Sequence, residues 1–259
     1  MEIRGETAFV TGGGQGIGRD ICIELATHDV TVSVADLDSS PRSETVDRIE
    51  AAGDRAVEVS LDHREPDSVA RAIARTRDAI GSVDVLVNNA GISGPTSPIE
   101  DVSLEEWEET QAVNSRGAFL CAREVMGEMK DRGYGRIVDV SSVSGKRPVP
   151  RRGPYTSSKA GMLGLTRTLA AEGGSDGVTA NAVCPGSVTG PRIQDVVERE
   201  AAESDRTPEA VRRDKLEDTL SGSFVGSTDV AGLVAYLCSD AAASITGQAI
   251  NVSGGKTVH

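Results

Sequence analysis

Two side chains in the middle of this 259-residue chain are spaced to share one proton. Tyr155 and Lys159, in Gly153-Pro154-Tyr155-Thr156-Ser157-Ser158-Lys159, are four residues apart and fall on one face if the segment is helical. A free tyrosine, with a pKa near ~10, is a poor base at neutral pH. A lysine cation beside it favours the phenolate and makes it a usable acid or base. The apolar run before it ends in Val138-Asp139-Val140-Ser141-Ser142, so Ser142 offers a hydroxyl to hold a substrate oxygen. Such a set suits an alcohol that loses a proton from oxygen while a hydride leaves carbon, or the reverse. A Tyr-x-x-x-Lys pair by itself is an ordinary surface helix. It gains meaning only if the same chain can bind a hydride carrier.

The N-terminal third has the features for that. A buried strand at Thr7 to Thr11 runs into Thr11-Gly12-Gly13-Gly14-Gln15-Gly16-Ile17-Gly18, directly before a helical stretch. Glycines there let backbone approach a pyrophosphate, and the helix aims its free N–H groups and positive dipole at it. Gly12, Gln15, Gly16, Ile17 and Gly18 are read as that cradle. Asp36 ends the next strand 18 residues beyond Gly18, followed by Leu37. A carboxylate at that point accepts both ribose hydroxyls of an adenosine and repels a 2′-phosphate, so the cofactor expected is NAD. The presence of Gln15, rather than a cation, in the loop agrees. Asp62 and His63 follow the third strand and are placed against the adenine, with Asp62 as acceptor from its amino group. Asn89, Ala90 and Gly91, after the fourth strand, suit a backbone lying along the cofactor while also holding neighbouring strands together.

The elements that must position these residues alternate. Strands are expected at Thr7 to Thr11, Val30 to Ala35, Ala56 to Ser60, Val83 to Asn88, Arg136 to Ser141, Val178 to Val183 and Ala249 to Val252. Helices are expected between them, at Ile17 to His28, Ser43 to Ala52, Ser68 to Ile80 and Val230 to Leu237 among others. Continuously apolar strands separated by helices imply an α/β protein. Its sheet would be mostly parallel and doubly wound, a Rossmann arrangement with helices on both faces. No internal repeat or linker is visible, so one domain is expected over residues 1–259. A charged stretch from Gly190 to Gly222 interrupts the rhythm and reads as a lid over the substrate. Glu172 to Gly177, rich in glycine, reads as a loop.

Taken together, the Thr11–Gly18 loop, Asn88–Gly91, Asn114, the Ser142/Tyr155/Lys159 set and Pro185-Gly186 resemble the short-chain dehydrogenase/reductase family, from Ile3 to Gly255. The resemblance implies a seven-stranded sheet and a homotetramer with Ile245 to Gln248 in one interface. It implies that Tyr155 is the acid/base and that Ser142 orients the substrate. Lys159 would lower the tyrosine pKa and bind the nicotinamide ribose, and Asn114 would hold a water linking Lys159 to solvent. It also assigns Pro185, Gly186 and Val188 to the cofactor. The chain departs from the pattern in carrying Ser253 where an Asp precedes the final Gly-Gly, and Thr189 one place early, which puts the carboxamide contact in doubt.

Composition excludes other classes. The net charge is −13, with 40 acidic and 27 basic residues, of which 22 are Arg and 5 Lys. This surface repels phosphate backbones and anionic lipid, so neither nucleic acid nor membrane is an expected partner. The four scattered cysteines, Cys22, Cys121, Cys184 and Cys238, form no CxxC pair and read as buried thiols of a cytoplasmic protein. His28, His63 and His259 are too dispersed for a metal site. Arg147, Arg151 and Arg152 lie shortly before Tyr155 and Arg192 opens the lid; of the residues here Ser144, Arg152 and Arg192 are the candidate substrate contacts. They point to a small polar alcohol or ketone: a sugar, polyol, hydroxy acid or other anion. Each arginine can equally face water or an acidic neighbour. A 3-oxoacyl thioester reductase is the alternative, and a dinucleotide sensor without turnover, or a sugar-nucleotide epimerase, fits less well.

Overall fold

The structure, a computed structural model, describes residues 1–258, apart from the side chains of Pro191, Arg192 and Glu203. The chain runs β1 (Thr7–Thr11), α1 (Gly16–Ala26), β2 (Thr31–Asp36), α2 (Ser39–Ala51), β3 (Ala56–Ser60), α3 (Pro66–Ile80) and β4 (Val85–Asn88). It continues with α4 (Leu104–Gln111), α5 (Gly117–Asp131), β5 (Gly135–Val140), α6 (Gly153–Gly173) and β6 (Val178–Pro185). It ends with α7 (Pro191–Ser204), α8 (Pro208–Glu217), α9 (Ser227–Cys238) and β7 (Ala249–Val252). Every strand expected from the sequence is present. Helix α2 begins four residues earlier than its apolar period suggests, because Pro41 falls in the first turn, where no N–H is required of it. Glu172 and Gly173, expected in a loop, belong to the last turn of α6. The chain turns only at Gly177, whose φ is +75°.

All seven strands pair in parallel, in the order β3-β2-β1-β4-β5-β6-β7. Strand residues alternate between two apolar layers. Ala8 and Val10 pack with Ile21, Leu25, Val234 and Leu237 of α1 and α9, whereas Phe9 packs with Ile73, Leu120, Met129 and Leu169 of α3, α5 and α6. Both faces of the sheet are therefore covered, which is why its strands carry almost no exposed polar residue. The four cysteines are free and buried. No helix among the described residues is long and apolar enough to cross a membrane.

The order of strands reverses direction between β1 and β4, and in such sheets the crevice opens at their carboxyl ends. Thr11 stitches that point. Its hydroxyl donates to the Val87 carbonyl (3.4 Å) and accepts from the N–H groups of Asn89 and Ala90, both at 3.0 Å. The charged stretch after β6 forms α7 and α8, which share a small apolar cluster of Ile193, Val197, Ala201 and Val211.

Candidate active site

At the β1 end, Asn89 donates from Nδ2 to the carbonyls of Thr11 (3.0 Å) and Gly12 (3.1 Å), so the first loop and the β4 loop are one unit. A Cβ on Gly18 would lie 2.0 Å from the Gly12 oxygen and 2.4 Å from Asn89 Nδ2, so only glycine lets α1 start this close. Gly16, with φ +54°, faces open space. Gln15 sits at the N-cap of α1 without a side-chain cap, and the first turn carries no acidic residue. The orphan N–H groups of α1 are therefore left for an anion, and a dinucleotide pyrophosphate fits the cradle.

Asp36 lies at the mouth of this loop. Its Oδ2 accepts from Gly14 N–H (2.9 Å) and its Oδ1 from Leu37 N–H (2.8 Å). Two cations close to it, Arg19 and Arg42, were missed in the sequence reading. Arg19 donates to the Gly14 carbonyl and forms a forked pair with Glu44, while Arg42 donates to the carbonyls of Asp36 (2.7 Å) and Leu37 (3.1 Å). The signal for Arg19 was its place one helical turn beyond Gln15. Arg42 gave none, because its role comes from the fold of the β2–α2 turn.

Asp62 engages Arg64 with both carboxylate oxygens, and the Arg64 side chain holds its carboxyl below the usual range. The His63 ring is buried, 3.1 Å from the Val113 carbonyl and 3.5 Å from Cys121 Sγ, so its side chain is turned into the interior. Burial holds the His63 imidazole below its ordinary pKa, so the unfolded chain takes that proton first and stability is lost as pH falls below the unfolded value. The melting temperature is expected to fall between about pH 7 and about pH 5, and His63→Gln should flatten that slope.

The second group gathers where β4, β5 and α6 meet. Between α4 and α5 the helix widens into a π turn, Ala112–Arg116, which swings Asn114 inward. Asn114 is fully buried. Its Oδ1 accepts from Ile92 N–H (2.8 Å), and its Nδ2 donates to the Ile92 carbonyl (3.1 Å) and to Ser158 Oγ (2.9 Å). Lys159 is buried beside it, with Nζ donating to the Val140 carbonyl (2.8 Å) and 3.5 Å from Met162 Sδ. A Cβ on Gly91 would lie 3.1 Å from Asn114 Oδ1 and 3.4 Å from Lys159 Nζ, so Gly91 keeps this corner open. Tyr155 is half-buried one turn before Lys159, whose Nζ lies 6.0 Å from the ring centre. Ser142 Oγ accepts from Ser144 N–H (3.1 Å), which leaves the hydroxyl proton to point at an incoming oxygen.

Around this group the substrate candidates separate. Arg152 lies over the Tyr155 ring, 5.0 Å from its centre, and donates to the Ser93 carbonyl at 2.9 Å. It therefore reaches the Tyr155 ring. Arg147 is turned away, paired with Asp218 (3.0 Å), which also holds Lys256 (3.0 Å). The Arg192 side chain lies outside the described residues. Pro185 ends β6, and Gly186 packs so closely that a Cβ would lie 2.9 Å from Ser253 Cα. Val188 bridges to Val225, and Thr189 spends its hydroxyl on the Val225 carbonyl (3.3 Å).

The family model for short chain dehydrogenases matches residues 6–201. The chain belongs to the short-chain dehydrogenase family. It is 37% identical over 254 residues to a short-chain dehydrogenase/reductase of Hericium erinaceus, covering 96% of each chain. It is 36% identical over 251 residues to a 3-oxoacyl-[acyl-carrier-protein] reductase of Staphylococcus epidermidis, covering 96% of this chain and 98% of that one. An actinorhodin polyketide ketoreductase variant crystallised with NADPH superposes over 100% of both chains with a TM-score of 0.95 at 34% identity. The short-chain dehydrogenase described here is accordingly an oxidoreductase of a family that uses a nicotinamide cofactor.

Proposed function

We propose that this short-chain dehydrogenase is NAD(H)-dependent and interconverts a small polar alcohol and its ketone. It would do so as one domain, with α7 and α8 as the substrate lid. The observation that carries the reading is the convergence of Lys159, Asn114 and Gly91 beside Tyr155, at the same strand ends as an uncapped α1. Bound nicotinamide would supply or accept the hydride. The pyrophosphate would rest on Gly12, Gln15, Gly16, Ile17 and Gly18, with Asn89, Ala90, Gly91, Pro185, Gly186 and Val188 along the rest of the cofactor. Tyr155 Oη takes the proton from the alcohol or returns it to the ketone oxygen. Lys159 makes its phenolate accessible near neutral pH, and Ser142 Oγ donates to the substrate oxygen to hold it in line. Ser144 and Arg152 would line the substrate side. Arg152 supports an anionic or hydroxyl-rich substrate, while Arg147, committed to Asp218, does not. Homotetrameric assembly and a cytoplasmic setting are part of the same proposal.

NAD preference rests on Asp36. Both of its oxygens are already oriented by backbone N–H groups, and the neighbouring Arg19 and Arg42 are committed to carbonyls, with Glu44 beside the first and Glu58 3.9 Å from the second. A 2′-phosphate would meet this fixed carboxylate. Asp36→Ser is expected to shift the ratio of kcat/KM for NAD over NADP toward NADP by roughly 10–100-fold, through lost ribose bonds and lost repulsion. Comparable efficiency with both cofactors in the unaltered enzyme would overturn the preference.

A second reading, reduction of a 3-oxoacyl thioester, is favoured by the ketoreductase and 3-oxoacyl reductase relatives, one of them crystallised with NADPH. A 3-oxoacyl thioester assayed with NADH and NADPH separates the two readings. Efficient reduction with NADPH would establish the second.

A further inference from the structure

A buried carboxyl group lies directly behind the catalytic corner. Asp139 on β5 is fully buried, one residue before Val140, whose carbonyl holds Lys159. Its Oδ1 accepts from Asn88 Nδ2 (2.8 Å), and its Oδ2 lies 2.6 Å from Thr166 Oγ1. Thr166 lies two turns along α6 from Lys159, and its Oγ1 is also 2.8 Å from the Met162 carbonyl. A threonine hydroxyl has one proton, and a carbonyl can only accept. If that proton goes to Met162, the short contact with Asp139 needs a proton from the carboxyl side.

The surroundings agree. In the sheet Asp139 lies opposite uncharged Asn88 on β4 and Ala182 on β6. Helix α5 brings Cys121, whose thiol burial pushes up, with His63 behind it, and α6 brings Lys159, whose ammonium goes to Val140. Burial pushes the Asp139 carboxyl above its ordinary range, against the pull of Thr166, Asn88 and Lys159.

We infer that Asp139 is a neutral carboxylic acid in the working enzyme and acts as a positioning residue. It donates to Thr166 and so fastens α6 to β5 beneath Lys159, without setting a negative charge against the lysine. An ionised Asp139 would draw on the same ammonium that favours the Tyr155 phenolate and would make tyrosine a weaker acid. The functional half of this inference rests on the acid/base reading of Tyr155 and Lys159. The protonation itself can be read without turnover.

Asp139→Asn tests it, because an amide presents the same acceptor to Asn88 and the same donor to Thr166 as a neutral acid. The expected variant folds, keeps kcat/KM within about twofold and keeps the acid limb of its pH profile in place. A group with a raised native pKa costs stability as pH climbs above its unfolded value. Asp139→Asn should therefore melt about 2–4 °C or more above the parent near about pH 8 and lose that advantage near about pH 4. Infrared difference spectra of parent against variant should show one carboxylic-acid carbonyl band lost. The inference is overturned if the variant fails to fold, if it is less stable at every pH, or if the bands lost are those of a carboxylate. A shift of the acid limb to lower pH would also overturn it, since that follows only from removing a negative charge. Absence of all turnover in the parent would strike the acid/base reading while leaving the infrared and melting results to decide the protonation.

Discussion

Tyr155→Phe is expected to lower kcat/KM by about 10²–10⁴-fold while leaving the affinity for NADH within a few-fold of the parent. The substitution removes only Oη. The ring, the Arg152 guanidinium 5.0 Å from its centre and the lysine on the next turn all stay. Substrate and hydride carrier can still meet, and what is lost is the group proposed to move the proton. Steady-state rates, together with NADH fluorescence titration, separate the two effects. A loss confined to KM would mean that Tyr155 binds rather than reacts. Retained activity would remove it from the mechanism.

Gly18→Ala is the second large effect, and it acts at the other end of the crevice. A methyl group there would meet the Gly12 carbonyl at 2.0 Å and Asn89 Nδ2 at 2.4 Å. Both are fixed, the first by β1 and the second by its bonds to Thr11 and Gly12, so α1 must retreat. The helix N-terminus is the proposed anion site, and retreat by even part of an ångström would weaken N–H bonds to phosphate. NADH affinity is expected to fall by about 10²-fold or more, with about 1–3 kcal/mol of stability lost to overpacking. Gly53→Ala, in the loop after α2 and outside the cradle, is the control. Its Cβ would enter open space, and its cost is that of a positive φ alone. Equal losses at both positions would contradict the close-approach argument.

The legibility of this protein follows from which of its features are local. The strands were visible because burial on both sides makes them continuously apolar, and Gly12–Gly18 because tight backbone approach restricts residue type. Tyr155 and Lys159 were visible because helical spacing is fixed. What depends on long-range packing was not legible. Nothing around Arg42 announces that it props the turn carrying Asp36. Asp139 reads as one polar residue at the end of an apolar run, and its partners Asn88 and Thr166 lie 51 and 27 residues away. The inward turn of the His63 side chain depends on a glycine on α5, where a Cβ on Gly117 would lie 2.4 Å from its Nδ1. Arg147 reads like Arg152 in sequence, and only the place of Asp218 at the end of α8 tells them apart.

In the function proposed here this crevice transfers hydride between a nicotinamide and a carbon bearing oxygen, with Tyr155 moving the proton. The direct test is the near-ultraviolet absorbance of reduced nicotinamide, followed in both directions over matched alcohols, ketones and 3-oxoacyl thioesters in neutral and anionic forms. Reaction with NAD or NADH is expected for at least one polar pair, abolished in Tyr155→Phe. NADH that binds tightly and is neither formed nor consumed with any member of the panel would contradict it.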